Sequence, residues 1–193
     1  MNILDKNVWF IGLLVLVLTG LIPGGSLAAD VDVYAEGTYT ESDLVLHIYA
    51  DINGPNILSY GVKVVYSPSE LTVISAEKNE DVWYTGDGTT NYPYMDPETS
   101  VYGEVIIIGG KLDTSSPTDG VGGQRVLLGK IVFSRTDSNM PFSPSLSIEL
   151  GKNAGYKNFV TTAGTVLDDV VTFGPAGRPT MAMPWIPLLL LED

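Results

Sequence analysis

The chain contains no cysteine, which excludes disulfide bridges, thiolate metal sites and cysteine nucleophiles. It has a single histidine, His47, and one histidine cannot build a histidine-rich metal site. No catalytic serine, zinc-protease or phosphate-loop motif occurs in the sequence. The acidic residues between Glu77 and Glu98 lie among loop-forming residues, and nothing in the sequence places two of them across a cleft. We therefore expect a non-catalytic protein in which His47 is a surface residue of a strand.

Basic residues are scarce, since ten Lys and Arg stand against 23 Asp and Glu, giving a formal net charge of −13. Proteins that bind nucleic acids or anionic lipid need basic side chains to neutralise phosphates. Neither class of partner is expected here. The negative charge is typical of a soluble exported protein, and it leaves a cation or a basic protein as possible partners.

The N-terminal apolar run, from Val8 to Leu18, is shorter than the roughly 20 residues that span a bilayer. Lys6 precedes the run, a Pro-Gly-Gly break at 23–25 follows it, and small residues then stand at Ser26 and Ala28. This arrangement predicts a signal peptide over residues 1–28, cleaved after Ala28 or one residue later. The protein is then extracellular or on the surface of a bacterial or archaeal cell. A retained membrane anchor is the alternative.

The C-terminal segment, residues 175–193, is an apolar tail in which Pro184 and Pro187 preclude a continuous helix. A Pro-Thr-Met step at 179–181 followed by Trp185 is similar to the start of bacterial surface-sorting tails. The basic cluster that ends such tails is replaced by Glu-Asp. Two interpretations stay open, a remnant of a sorting signal and a flexible adhesive tail.

Between Asp30 and Phe173, apolar and polar residues alternate with the two-residue period of half-buried strands. The alternating segments are 31–36, 44–50, 62–66, 71–76, 105–108, 126–133, 146–150 and 166–173. Turn-forming residues separate them at 53–55, 67–69, 109–110 and 122–123. The pattern predicts one all-β domain over residues 29–174. We expect a two-sheet antiparallel β-sandwich of the jelly-roll, immunoglobulin-like type with about eight or nine strands. Gly129 inside an apolar segment predicts a bulge or a close contact between the sheets.

Two segments resemble cohesin domains. In GVKVVYSPSELTV, residues 61–73, a strand ends at Tyr66, Pro68 presets a turn and Leu71 opens the next strand. Ser67 stands where cohesins usually have Asp or Asn. The second segment, GQRVLLGKIVF, is similar to a cohesin strand that starts at Gly and ends in Ile-x-Phe. The resemblance covers about residues 31–173, the same span as the strand pattern. It implies a jelly-roll related to carbohydrate-binding modules, and a role in docking a dockerin-like partner, attaching to polysaccharide or scaffolding a surface.

The segment from Val82 to Tyr102 is the candidate ligand-binding loop. It concentrates aromatic and polar side chains, namely Trp83, Tyr84, Asp87, Asn91, Tyr92, Tyr94 and Asp96. Aromatic faces stack on sugars or anchor a protein partner, and adjacent carboxylates fix its orientation. The alternative for Trp83 is that it caps the core, whereas Tyr92 and Tyr94 are expected to be exposed.

Calcium is a candidate ligand of the acidic turns, although the fold requires no cofactor. The candidate metal ligands are Asp113, Asp119, Asp168 and Asp169. Oxygen-rich loops suit calcium, but the EF-hand pattern that dockerins carry does not occur here. Solvated turn residues are the alternative interpretation.

Three functional hypotheses follow. The first is a non-catalytic interaction module that docks a protein partner. The second is a carbohydrate-binding module of a polysaccharide-degrading system, acting through the aromatic loop. The third is a structural subunit of an extracellular layer or filament that self-associates through its edge strands.

Overall fold

The computed structural model describes residues 30–40, 42–86, 91–92, 95–113, 119–136, 145–152 and 157–179. These residues form strands and a single turn of 3₁₀-helix at Asp168–Val170. The strands are β1 (Asp30–Tyr39), β2 (Asp43–Tyr66), β3 (Leu71–Lys78), β4 (Thr85–Gly86), β5 (Asn91–Tyr92), β6 (Glu104–Gly110), β7 (Leu112–Asp113), β8 (Val121–Arg135), β9 (Leu146–Leu150), β10 (Val160–Thr161) and β11 (Val171–Pro179). Across these ranges, no helix is long and apolar enough to cross a membrane. The predicted signal peptide, residues 1–28, and the tail beyond Pro179 lie outside the described residues.

Strand β2 takes part in both halves of the fold. Its first half pairs antiparallel with β1 and β8, and its second half pairs antiparallel with β6 and β9. The sequence predicts a turn at 53–55, but the strand continues through it and only changes partners. Gly54 adopts a left-handed conformation there, with φ +96. The pairing with β8 skips from Ile52↔Gly123 to Ile57↔Val121, so the turn-forming residues produce a bulge.

The larger sheet has the strand order β11-β1-β2-β8-β3. Its pairs are antiparallel except for β1 and β11, which run parallel from Val31↔Val171 onward. On the other side, the second half of β2 lies between β6 and β9, and β10 pairs with it near Ile57. The all-β, two-sheet prediction is confirmed, with two parallel pairs, β1 with β11 and the short β4 with β7, added to the antiparallel pattern.

The hydrophobic core lies between the two groups of strands. The inward positions of the alternating segments are buried, including Val31, Val33, Leu44, Leu46, Ile48, Val62, Val64, Val105, Ile107, Ile131 and Phe133. Tyr66 of β2 meets Phe133 of β8 with ring centroids 5.2 Å apart, which joins the two groups directly. Two-residue alternation therefore predicts the core well, because one face of each strand must exclude water.

The last predicted strand differs from the structure at both ends. Residues 168–170 form the 3₁₀ turn, and β11 begins only at Val171. The strand then continues to Pro179, five residues beyond the predicted domain end at Gly174. The glycine pairs 109–110 and 122–123 lie inside strands, not in turns. Gly109 faces the Tyr60 ring, where an added Cβ would lie 2.2 Å from a ring carbon.

Gly129 confirms both features predicted for it. The pairing of β2 with β8 shifts register between Ile48↔Gly129 and Tyr49↔Leu127, which is a bulge. A Cβ at position 129 would lie 2.7 Å from the Glu77 carbonyl oxygen and 2.9 Å from Ile107 Cδ1. The glycine thus lets β8 approach the strand that faces it across the core.

We expect Gly129→Ala to lower the free energy of unfolding by about 1–3 kcal/mol, because the new methyl group overpacks this contact. Urea unfolding measures the change. Gly110→Ala is the matched control, since its added Cβ meets nothing closer than 3.5 Å. Equal stability of the two variants would contradict the close contact.

Candidate functional site

Trp83, placed by the sequence in the ligand-binding loop, belongs to the core. Its side chain is 0% exposed, and its ring meets Tyr60 edge-on at a centroid distance of 4.7 Å. The indole Nε1 donates a hydrogen bond to the carbonyl oxygen of Leu127 at 3.2 Å. A buried ring with its only donor satisfied has no face left for a ligand. The assignment of Trp83 to a binding surface is therefore wrong, and the alternative that it caps the core is correct.

The structure describes only some of the other predicted loop residues. Tyr84 is half-buried and Asp96 is exposed. Asn91 and Tyr92 form β5, which pairs with β4. The side chains of these two residues, and all of Asp87 and Tyr94, lie outside the described residues. Ligand binding by this loop stays a prediction.

The end of the loop, residues 95–102, is attached to the sheets by hydrogen bonds. The buried Lys78 of β3 donates through Nζ to the Met95 carbonyl oxygen at 2.7 Å. Glu98 exchanges two backbone hydrogen bonds with Ile106 of β6, at 2.8 and 2.9 Å. Between this segment and β3 lies a groove of about 420 Å³ that includes Tyr102, whose side chain is 83% exposed.

Of the acidic residues proposed for calcium, Asp168 has other partners in the structure. The Asp168 carboxylate accepts hydrogen bonds from the backbone N–H of Phe159 at 2.7 Å and from the backbone and side chain of Asn158. Asp169 is exposed, and Asp119 accepts from Asn56 through its carbonyl oxygen. Within the described ranges, no three His, Asp or Glu residues gather to hold a metal ion. The side chain of Asp113 lies outside them, and calcium binding stays a prediction.

The outer side of β6, β2 and β9 carries a surface that we call the docking face. It consists of Lys63, Val65, Glu104, Ile106, Ile108, Ser147 and Glu149. Register places Lys63 opposite Ile106 on one side and Glu149 on the other, and places Val65 between Glu104 and Ser147. Directly paired residues share one face of a sheet, so these side chains point away from the core together.

Apolar groups and an ion-pair network alternate on the docking face. Lys63 Nζ lies 3.1 Å from Glu149 and 3.8 Å from Glu104. The Lys63 side chain is only 16% exposed. Ile106, half-buried, lies in the same row, and Ile108, also half-buried, lies in the next row along β6. At one end the face meets a cavity of about 280 Å³ lined by Met95, Ile108, Lys152, Lys157 and Asn158, among others.

The docking face is not predicted by the sequence patterns. Lys63, Ile106 and Glu149 come from three distant segments, and only the strand register brings them together. One local signal was available. Residues 105–108 are all apolar, and a strand that is apolar on both faces indicates that neither face is purely solvent-facing.

We expect Asp168→Ala to lower the free energy of unfolding by about 1–3 kcal/mol, because the N–H groups of Asn158 and Phe159 lose a charged acceptor. The neighbouring exposed residue supplies the control, and Asp169→Ala should change stability by less than about 0.5 kcal/mol. Thermal unfolding of the two variants measures the difference. If Asp168→Ala unfolds at the same temperature as the wild type, the carboxylate does not stabilise this turn.

No protein-family model and no curated protein sequence matches the chain. Solved structures do match. One is a chain from the complex of CaDoc0917 with CaCohA2, a protein of Clostridium acetobutylicum. Its TM-score is 0.54 and its sequence identity is 14%, and the match covers 76% of this chain and 96% of that chain. Another is the complex of the sixth cohesin of Acetivibrio cellulolyticus scaffoldin B with a Cel5 dockerin, with a TM-score of 0.52 and 14% identity over 77% and 95% of the respective chains. The chain therefore has a cohesin-like fold, as the resemblance implied.

Proposed function

We propose that this protein is a non-catalytic module that docks a dockerin-like protein partner on its docking face, outside or on the surface of a bacterial or archaeal cell. The observation that carries the proposal is the row formed by Lys63, Ile106 and Glu149, in which an ion pair lies beside an apolar side chain on the outer side of β6, β2 and β9. Two structures of similar fold contain cohesins or their complexes with dockerins, which supports this class of partner.

The composition of the docking face suits a protein partner. Specific interfaces combine an apolar centre, which gains from the removal of water, with a polar rim that sets orientation. Val65, Ile106 and Ile108 supply the apolar part. The side chain of Glu149 is 52% exposed, so its carboxylate can accept a further hydrogen bond from a partner while it holds Lys63.

The charge of the docking face indicates which charged groups its partner carries. Lys63 lies between two glutamates, so the face has an excess of negative charge at its centre, within a chain of net charge −13. A partner with basic residues is attracted over distance and gains in association rate. Lys157 at the end cavity suits an acidic group of the same partner.

The location rests on the sequence of the first 28 residues. Their apolar run, helix break and small residues are typical of an export signal. A docking module that is exported meets its partners outside the cell. Intact-mass analysis of protein produced in a bacterial secretion host tests this part, because removal of residues 1–28 is the expected result.

Docking predicts that at least one member of a panel of dockerins, including the Cel5 dockerin and CaDoc0917, binds the protein with micromolar or tighter affinity. Lys63→Glu should weaken that binding by about tenfold or more, because Glu104 and Glu149 lose the ammonium group that fixes their positions and are repelled by a third carboxylate, so the acceptors that a partner would meet are displaced. Isothermal titration calorimetry measures both results.

Lys130→Glu is the matched control. Lys130 lies on β8 of the larger sheet and is also paired with a glutamate, Glu77, at 3.1 Å. The same charge reversal away from the docking face should leave the affinity unchanged. Binding by no dockerin, or equal losses for the two reversals, would contradict the proposal.

A further inference from the structure

The opposite outer surface of the molecule carries a second ordered group of side chains. It lies on the larger sheet, where β1 and β2 pair Tyr34 with Tyr49 and Glu36 with His47. Arg125 of β8 and Asp51 of β2 complete it. We call these six residues the aromatic–arginine cluster. It shares no residue with the docking face.

The rings of the cluster are close to one another and nearly parallel. Tyr34 and Tyr49 have centroids 5.8 Å apart and planes 30° apart, and His47 and Tyr49 have centroids 6.3 Å apart and planes 22° apart. All three side chains are half-buried, so part of each remains accessible to solvent. The guanidinium carbon of Arg125 lies 4.3 Å from the Tyr49 ring centroid.

Arg125 is held in place by carboxylates on β1 and β2. Its guanidinium donates two hydrogen bonds to the Glu36 carboxylate, one of them from Nη2 at 2.6 Å. Its backbone N–H donates to the Asp51 carboxylate at 2.6 Å, and the Tyr34 hydroxyl also reaches Asp51, at 3.4 Å. The hydrogen bonds from Arg125 hold the pKa of Glu36 below its ordinary value, so this carboxylate is ionised at neutral pH.

The backbone at Arg125 is strained. Among the described residues it is the one non-glycine residue with positive φ, at +55. A left-handed conformation is unfavourable for a residue with a side chain. The ion pair and the cation–π contact of Arg125 are exposed to solvent, where such contacts stabilise a fold only weakly. The contacts therefore do little more than offset the strain, and the fold gains little from having arginine where glycine would be relaxed. Strain of this kind is characteristic of functional sites.

We propose that the aromatic–arginine cluster binds an uncharged polysaccharide. The rings of Tyr34, His47 and Tyr49 supply surfaces for the C–H faces of sugar rings. The sugar hydroxyls find acceptors in Glu36 and Asp51 and a donor in Arg125. Because hydrogen bonds already fix these groups, a ligand loses little further side-chain entropy on binding.

Charge and shape select this class of ligand. The two carboxylates of the cluster outnumber its one arginine, and the exposed Asp32 lies opposite Asp51 on the neighbouring strand. The basic residues that register places next to the cluster are Lys130, which Glu77 pairs at 3.1 Å, and Arg178 opposite Glu36, so acidic groups still exceed basic ones by one. This local excess of negative charge repels acidic polysaccharides. The cluster spans three adjacent strands, β1, β2 and β8, on the face of a sheet, and such a surface can follow an extended chain of sugars.

Depletion binding of the full chain to microcrystalline cellulose and to chitin tests the proposal. We expect the wild type to bind at least one of them, and Tyr49→Ala and Arg125→Gly to lose about tenfold or more in affinity. Arg125→Gly relieves the backbone strain, so it should stay folded and lose only the guanidinium contacts. Unfolding midpoints confirm that both variants remain folded.

Two controls separate this site from other surfaces. Tyr102→Ala removes a tyrosine that is 83% exposed and outside the cluster, and Lys63→Glu changes the docking face. Both should bind polysaccharide like the wild type, so the failure of one proposal does not imply the failure of the other. The proposal is overturned if neither polysaccharide retains the wild type, if Tyr49→Ala or Arg125→Gly binds unchanged, or if alginate is retained in preference to both.

Discussion

The fold depends on one strand whose backbone groups form hydrogen bonds in both halves of the sandwich. Strand β2 pairs with β1 and β8 before its bulge at Gly54, and with β6 and β9 after it. Because the backbone groups of a buried strand must be paired along their whole length, this sharing fixes where the other long strands lie. It also places the two candidate surfaces on a single element, with Tyr49 on the outer side of the first half and Lys63 on the outer side of the second.

The core of this fold can be predicted from the sequence because the period of two is a local property. Val31, Leu46 and Val64 are buried as their alternation indicates. Continuity of β2 could not be predicted, since Asn, Gly and Pro at 53–55 favour a turn and a bulge equally in local terms. The start of β11 at Val171 could not be predicted from the alternating pattern. The Asp168 carboxylate binds backbone N–H groups of Asn158 and Phe159, and such contacts are not part of a local pattern.

The surfaces depend on register and on backbone conformation, which local patterns do not contain. An aromatic residue in a loop can cap a core or contact a ligand. For Trp83, only the contact of its ring with Tyr60 shows that it caps the core. The cluster around Arg125 requires a positive φ and partners that are 74 and 89 residues distant in sequence. The two outer faces then differ in chemistry. One alternates apolar groups with ion pairs and suits a protein, and the other combines aromatic rings with fixed polar groups and suits sugars.

The central claim is that the second half of β2, with β6 and β9, forms the surface that recognises a protein partner. Mapping of backbone amide chemical shifts on addition of a bound dockerin tests this claim most directly, because it reports every strand at once. The account predicts shifts along the second half of β2, β6 and β9, and unchanged amides along β1 and the first half of β2. Shifts concentrated around Tyr34 and Tyr49, with the amides near Lys63 unaffected, would contradict it.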